Sequence, residues 1–201
     1  MRREQVLHAA LRCFADQGFH ATTMADVIRA SGLSAGSVYR YFPSKTALIQ
    51  AGSEGIFTAA RGALAELKER PEPTSPAEAL RHLLNQMMGL AVRDDVDLTR
   101  VGVTAWAEAL RDPALLAHVG TLYRALRGDF VTLLERWRDA GNLPVDTDVE
   151  LAGQVLFGAM PGFVVQRLLL GDVEVDGYVT GFASLMGATG RRGDAAVGTP
   201  T

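Results

Sequence analysis

Ser37, Tyr39, Arg40 and Tyr41 stand within five consecutive positions and offer three hydroxyls and one guanidinium. Groups of this kind donate hydrogen bonds to phosphate oxygens and to base edges. Arg40 can donate to a guanine edge. Tyr39, Tyr41, Ser37 and, further back, Thr23 can reach phosphates or bases. Lys45 follows as a cation at the start of a helix, a place suited to phosphate. Val38 and Phe42 lie four apart on the same stretch and face inward. The outward set, with Ala35 and Gly36 between the hydroxyls, suits close approach to a polyanion better than burial.

No set of residues for covalent chemistry emerges. His8, His20, His82 and His118 lie in different segments. There is no glycine-rich phosphate loop, no G-x-S-x-G and no H-E-x-x-H spacing. Asp94, Asp95 and Asp97 lack an EF-hand pattern and read as a helix-capping turn. The single Cys13 excludes an intrachain disulfide framework and a cysteine-based zinc cluster. The expectation is a protein that is not an enzyme and needs no metal or cofactor.

The elements that must position the outward set are short helices. The first runs from about Arg3 to Gln17, with Val6, Leu7, Ala10, Leu11 and Phe14 at helical spacing and Gly18 as its stop. Thr23 can cap the second through its hydroxyl, Asp26 adds an acid in the first turn, and Gly32 ends it. Ser34 can cap the third. A tight turn between two short helices makes a helix-turn-helix, whose second helix enters the major groove. A plain helical bundle with a solvated face fits the same pattern equally well.

Pro43 and Ser44 open a fourth helix of roughly 26 residues, about 40 Å long, which is enough to bridge from the head into a larger body. After a break at Pro71–Pro76 come helices at about 76–92, 98–110 and 112–140. A Thr147-x-x-Glu150 capping box then opens an eighth helix to Leu170. It is apolar on nearly all sides and holds Pro161, which should kink or break it. A ninth helix covers about 175–186, and residues 189–201 compose a disordered tail. No strand alternation is visible, so the fold class is all-α with about nine helices. The domains expected are 1–46, 47–188 and the tail from 189.

The 201 residues are 48% hydrophobic, enough for a sizeable core. No apolar run approaches the roughly 20 residues of a membrane span, and no secretory h-region opens the chain. A cytoplasmic protein with no membrane partner is expected. The net charge of -3 is unevenly placed. Up to Lys45 there are six basic against three acidic residues, and beyond it fourteen against twenty. A basic head on an acidic body fits a DNA-binding module joined to a domain with another task, although chance asymmetry gives the same split.

The stretch GFHATTMADVIRASGLSAGSVYRYFPSKTALI resembles the N-terminal domain of TetR-family transcriptional regulators over about Arg3 to Ile49. The shared features are G-F-x-x-T-T, the A-S-G-L-S turn, V-Y-x-Y-F and P-S-K-x-A-L. The resemblance implies a helix-turn-helix head, a larger helical ligand-binding and dimerisation domain, and a homodimer on a palindromic double-stranded operator. It implies DNA contacts at Thr23, Ser34, Ala35, Gly36, Ser37, Tyr39, Arg40, Tyr41 and Lys45. Ala35 and Gly36 offer no side-chain hydrogen bonds where many members carry Lys, Arg or Gln, which shifts base reading to Arg40, Ser37 and the tyrosines, with a contribution from DNA shape.

The resemblance also implies an effector pocket in the body. Its aromatics and methionines are Met87, Met88, Trp106, Tyr123, Phe130, Trp137, Met160 and Phe163, which suit an apolar or aromatic small molecule or simply fill the core. Gln86, Arg100, Thr104, Glu108, Arg127 and Gln166 are polar groups that can orient a ligand or lie at the surface. The all-round apolar eighth helix needs cover on two sides, and a second copy can supply one. Leu151, Val155, Phe163, Leu168, Phe182 and Leu185 are the residues expected there. The function expected is a ligand-responsive repressor. An activator, an effector-independent regulator, or a helical ligand carrier or interaction module with a vestigial head are the alternatives.

Overall fold

The computed structural model describes residues 1–70, 75–93 and 96–189. The expected break at 71–76, the helix-capping turn at Asp94, Asp95 and Asp97, and the tail fall wholly or partly outside them. Nine α-helices make up the described fold: α1 (Arg2–Ala21), α2 (Met24–Ser31), α3 (Ala35–Tyr41), α4 (Lys45–Glu69), α5 (Pro76–Ala91), α6 (Leu98–Ala109), α7 (Pro113–Asp139), α8 (Val149–Leu170) and α9 (Val175–Thr189). Between α5 and α6 lies one small addition to the all-α reading. β1 (Val92–Arg93) and β2 (Val96–Asp97) pair antiparallel, Val92 with Asp97 and Arg93 with Val96. Two residues a side are too few to leave an alternating pattern in sequence.

Several ends differ from expectation for local reasons. Gly18 does interrupt α1, at φ 78° and ψ 165°, but one further helical turn follows and carries Phe19 into the core. Pro43 stays outside α4, because Ser44 is the cap and accepts from the Ala47 amide at 3.2 Å. Asp148, not Thr147, caps α8 and accepts from the Leu151 amide at 3.0 Å. A carboxylate at that position also meets the positive end of the helix dipole. Pro161 lies inside α8 without breaking it. By length and composition alone α8 is apolar enough to cross a membrane. The expectation that no apolar run approaches the length of a membrane span does not hold for α8. Only 28% of its most apolar stretch is buried in this chain.

Two apolar cores organise the helices. One holds Val6, Ala10, Phe14, Val27, Val38 and Phe42 from the head and Leu48 from α4, together with Val96, Val101, Ala105, Leu115 and Val119. The head is thus packed directly on α6 and the start of α7. The other holds Leu64, Leu67, Leu80, Leu84, Phe130, Leu134, Trp137, Leu156, Met160 and Phe163 from α4, α5, α7 and α8. Each large apolar side chain buried there contributes roughly 1.5–3 kcal/mol. The helix α4 joins both cores, with Leu48 in the first and Leu64 in the second, so it couples the head mechanically to the body.

Candidate nucleic-acid interface and effector core

The head geometry begins with two caps. The Thr23 hydroxyl accepts from the Asp26 amide at 3.2 Å, and the Asp26 carboxylate accepts from the Thr23 amide at 2.9 Å and its hydroxyl at 2.6 Å. The hydrogen bonds from Thr23 hold the Asp26 carboxyl below the usual aspartate range. Gly32 turns the chain with φ 65°, a left-handed conformation that costs glycine little. Ser34 then caps α3 by accepting from the Ser37 amide at 3.3 Å. Val38 and Phe42 are buried and fix the rotation of α3 about its own axis.

That rotation leaves Ala35, Gly36, Tyr39 and Arg40 exposed and Ser37 and Tyr41 half-buried. Tyr39 keeps 48% of its surface in water despite its large ring. The Arg40 guanidinium lies 5.0 Å from the centre of the Tyr41 ring and donates to the Tyr41 hydroxyl at 3.1 Å. The stacking restrains a side chain that would otherwise lose much rotamer entropy on binding. Lys45 is placed differently from the expected phosphate contact. Its ammonium donates to the carbonyls of Phe19 at 2.7 Å and Thr22 at 2.8 Å, and sits 4.2 Å from the Phe19 ring centre. In this structure it ties α4 to the end of α1. Sequence reading missed Arg3, whose guanidinium lies 5.0 Å from the centre of the Phe42 ring beside the end of α3. Its position two turns before Ala10 carries no signal of that contact.

The eight body residues named from sequence occupy one region but not one cavity lining. Phe130, Trp137, Met160 and Phe163 are buried in the second core, and Met87 and Met88 pack against it. Tyr123 and Trp106 are half-buried, and the Trp106 indole N–H donates to the Tyr123 hydroxyl. Burial pushes the Tyr123 phenol up to about 12, against the opposing effect of that hydrogen bond. The Tyr123 ring meets Phe57 in a tilted arrangement at 5.0 Å between centres and Phe157 edge-to-face at 5.2 Å, and Phe157 meets Phe130 edge-to-face at 6.0 Å. Phe57 and Phe157 complete the aromatic cluster and were absent from the expected set. A groove of about 860 Å³ lies elsewhere, between α5 and α9, lined by Ala77, Glu78, Arg81, Val179, Thr180 and Ala183 among others. None of the eight residues lines it.

The polar candidates separate as well. Glu108 faces His20 of the head at 3.0 Å. Asp129, unremarked in the sequence, accepts from Arg61 at 2.6 Å and Lys68 at 2.8 Å, both on α4. Burial pushes its carboxyl up, but the two cations outweigh this and hold it below the usual range. Among the described residues no three His, Cys, Asp or Glu side chains gather where a metal ion could be held.

Of the residues expected between two copies, Leu151, Val155 and Leu185 are exposed, the last two at 69% and 72%. Leu168 and Phe182 are half-buried against the core. Phe163 is 0% exposed and faces the interior of its own chain, so its expected place at a dimer surface is not available in this conformation. Leu169, Leu170 and Met186 extend the exposed apolar face of α8 and α9 beyond the residues foreseen.

A capped helix-turn-helix with an exposed, hydroxyl-bearing second helix, carried on a helical body, defines a DNA-binding transcriptional regulator. Residues 6–51 match the family model for bacterial regulatory proteins of the tetR family. Residues 76–179 match that for the C-terminal part of BetI-type transcriptional repressors. The chain belongs to the TetR family. It is 28% identical over 184 residues to the HTH-type transcriptional regulator UidR of Escherichia coli K12, covering 87% of this chain and 82% of that one. The structure of Salmonella enterica GusR superposes with a TM-score of 0.74 at 26% identity, covering 93% and 94% of the two chains. That of Bacillus subtilis FadR in complex with stearoyl-CoA gives 0.75 at 18% identity, over 91% and 96%, a likeness of fold.

Proposed function

We propose that this regulator is a homodimeric repressor that reads a palindromic operator through α3 and leaves it when a small apolar or aromatic molecule enters the body. The observation that carries the reading is the exposed surface of α3, with Arg40 pre-stacked on Tyr41 above the buried Val38 and Phe42. Residues 1–46 form the DNA-reading head and 47–188 the effector and dimer domain. Arg40, Ser37, Tyr39 and Tyr41 read bases or phosphates. The cap residues Thr23 and Ser34 and the small Ala35 and Gly36 allow close approach, and Lys45 supports the head from behind.

The aromatic cluster of Phe57, Trp106, Tyr123, Phe130 and Phe157 supports an apolar or aromatic effector, with the Trp106–Tyr123 pair as its polar feature. The match to a repressor C-terminal model and the ligand-bound FadR relative favour an effector-controlled repressor over an unregulated one. The exposed apolar residues of α8 and α9 support a second copy as the cover for that face. A thermal-shift screen of apolar and aromatic compounds tests the effector reading, because a ligand selective for the folded state raises the melting temperature. A hit must also release the protein from the DNA upstream of its own coding sequence. Compounds that raise melting without releasing DNA contradict the reading.

A further inference from the structure

The last turn of α1, just past the Gly18 kink, meets the end of α6 at a single ring nitrogen. His20 Nε2 lies 3.0 Å from Glu108 Oε2 and 2.9 Å from Arg111 Nη1. These two contacts make opposite demands. An unprotonated Nε2 can only accept, which suits Arg111 and sets a lone pair against the Glu108 carboxylate. A protonated Nε2 can only donate, which suits Glu108 and turns an N–H towards the guanidinium. Glu108 is firmly placed, since it is only 15% exposed, whereas His20 at 67% is free to turn. The backbone carbonyl of Glu108 takes the Arg111 and Asp112 amides at 2.9 and 3.1 Å, which fixes the turn bearing both side chains. From α4, the Lys45 ammonium approaches the His20 carbonyl at 3.5 Å, and within α1 the Phe19 ring meets the imidazole edge-on at 5.9 Å.

We propose that His20 is a positioning residue for the head, and that the proton on its Nε2 selects whether Glu108 or Arg111 holds the last turn of α1. Imidazole is the side chain suited to make this choice between about pH 5 and pH 8. The same turn offers its carbonyls to Lys45 at the start of α4, so a change at His20 is felt by both elements that carry the head. On the body side, Trp106 precedes Glu108 by two residues on α6 and bonds Tyr123. The consequence for operator binding rests on the reading of α3 as the DNA reader, but the switch itself does not.

The test uses the full chain without DNA or effector. Spin labels are placed at the exposed Ala30→Cys and Thr132→Cys, with Cys13→Ala, and the labelled chain is diluted into unlabelled protein. The head-to-body distance distribution is then read by pulsed electron resonance near about pH 5.5 and about pH 8. The wild type is expected to shift between two distributions. His20→Gln, at an exposed position, removes the shift. Glu108→Gln abolishes the low-pH distribution and Arg111→Met the high-pH one. His82 faces Glu66 at 3.2 Å and His118 faces Glu54 at 3.6 Å, two further histidine–carboxylate contacts of the body. A shift that survives His20→Gln does not depend on His20 and overturns the proposal. A wild type with one distribution at both pH values overturns it equally. A wild type that shows this distance shift but, in a separate assay, binds no DNA sequence specifically would count against the regulator reading alone.

Discussion

The ammonium of Lys45 lies 2.7 Å from the carbonyl oxygen of Phe19, across 26 positions of sequence. Together with the bond to Thr22, it closes the end of α1 onto the start of α4. Hydrogen bonds from a charged donor are stronger than neutral ones, and their loss leaves carbonyls unsatisfied. Lys45→Met should destabilise the protein by about 1–2 kcal/mol in denaturant unfolding. The slope of log K against log salt for DNA should change by less than the ~0.9 expected for one lost phosphate contact. A full unit of slope lost with stability intact would return Lys45 to the phosphate.

Asp129 anchors the body half of α4 through Arg61 and Lys68. Its carboxyl is held below the usual range, so the folded state favours the ionised form. The stabilisation is complete above the ordinary aspartate value near about 4 and is lost as pH falls through the depressed value. Asp129→Asn should cost about 1–3 kcal/mol at neutral pH and flatten the acid limb of a stability-against-pH curve. An unchanged acid limb would show that the pair contributes nothing.

Tyr123 works in the opposite direction. Its phenol is pushed up to about 12 by burial, so the folded state retains a proton that the unfolded chain releases near about 10. Its stabilising contribution is present below about 10 and disappears as pH rises towards about 12. Tyr123→Phe should reduce the steepness of alkaline unfolding followed by circular dichroism. It also strands the Trp106 indole N–H, at a cost of about 1–2 kcal/mol at neutral pH.

Val155 and Leu185 are exposed on α8 and α9 and make little of this chain's core. Val155→Glu with Leu185→Glu should leave helical content unchanged and convert a dimer to a monomer in sedimentation. Monomeric wild type, or a double variant that remains dimeric, would contradict the second copy as the cover for this face.

The head was legible because its signals are local. Thr23 with Asp26, Gly32 and Ser34 each act within four residues, and three of the four ends of α2 and α3 were readable from them. The Lys45 contact was not readable, since it depends on carbonyls 23 and 26 positions away. Asp129 was hidden for the same reason, with partners 61 and 68 positions off. The helix α8 resisted for a different cause. Apolar residues surround it, so no period tells which side meets the core, and Phe163 could be set both inside and at a dimer surface. Packing against Tyr178, at 5.3 Å between rings, decides for the inside.

The central claim is that α3 reads a specific DNA sequence, and fluorescence anisotropy across a salt series tests it most directly. Wild type and Arg40→Ala are compared on the duplex upstream of the protein's own coding sequence and on a scrambled duplex. A DNA-reading α3 requires wild-type affinity for the upstream duplex at least ~10³-fold above the scrambled one, falling steeply with salt. Arg40→Ala should lose about 1–3 kcal/mol on the upstream duplex and much less on the scrambled one. Equal, weak binding to both duplexes, unchanged by Arg40→Ala, would contradict it.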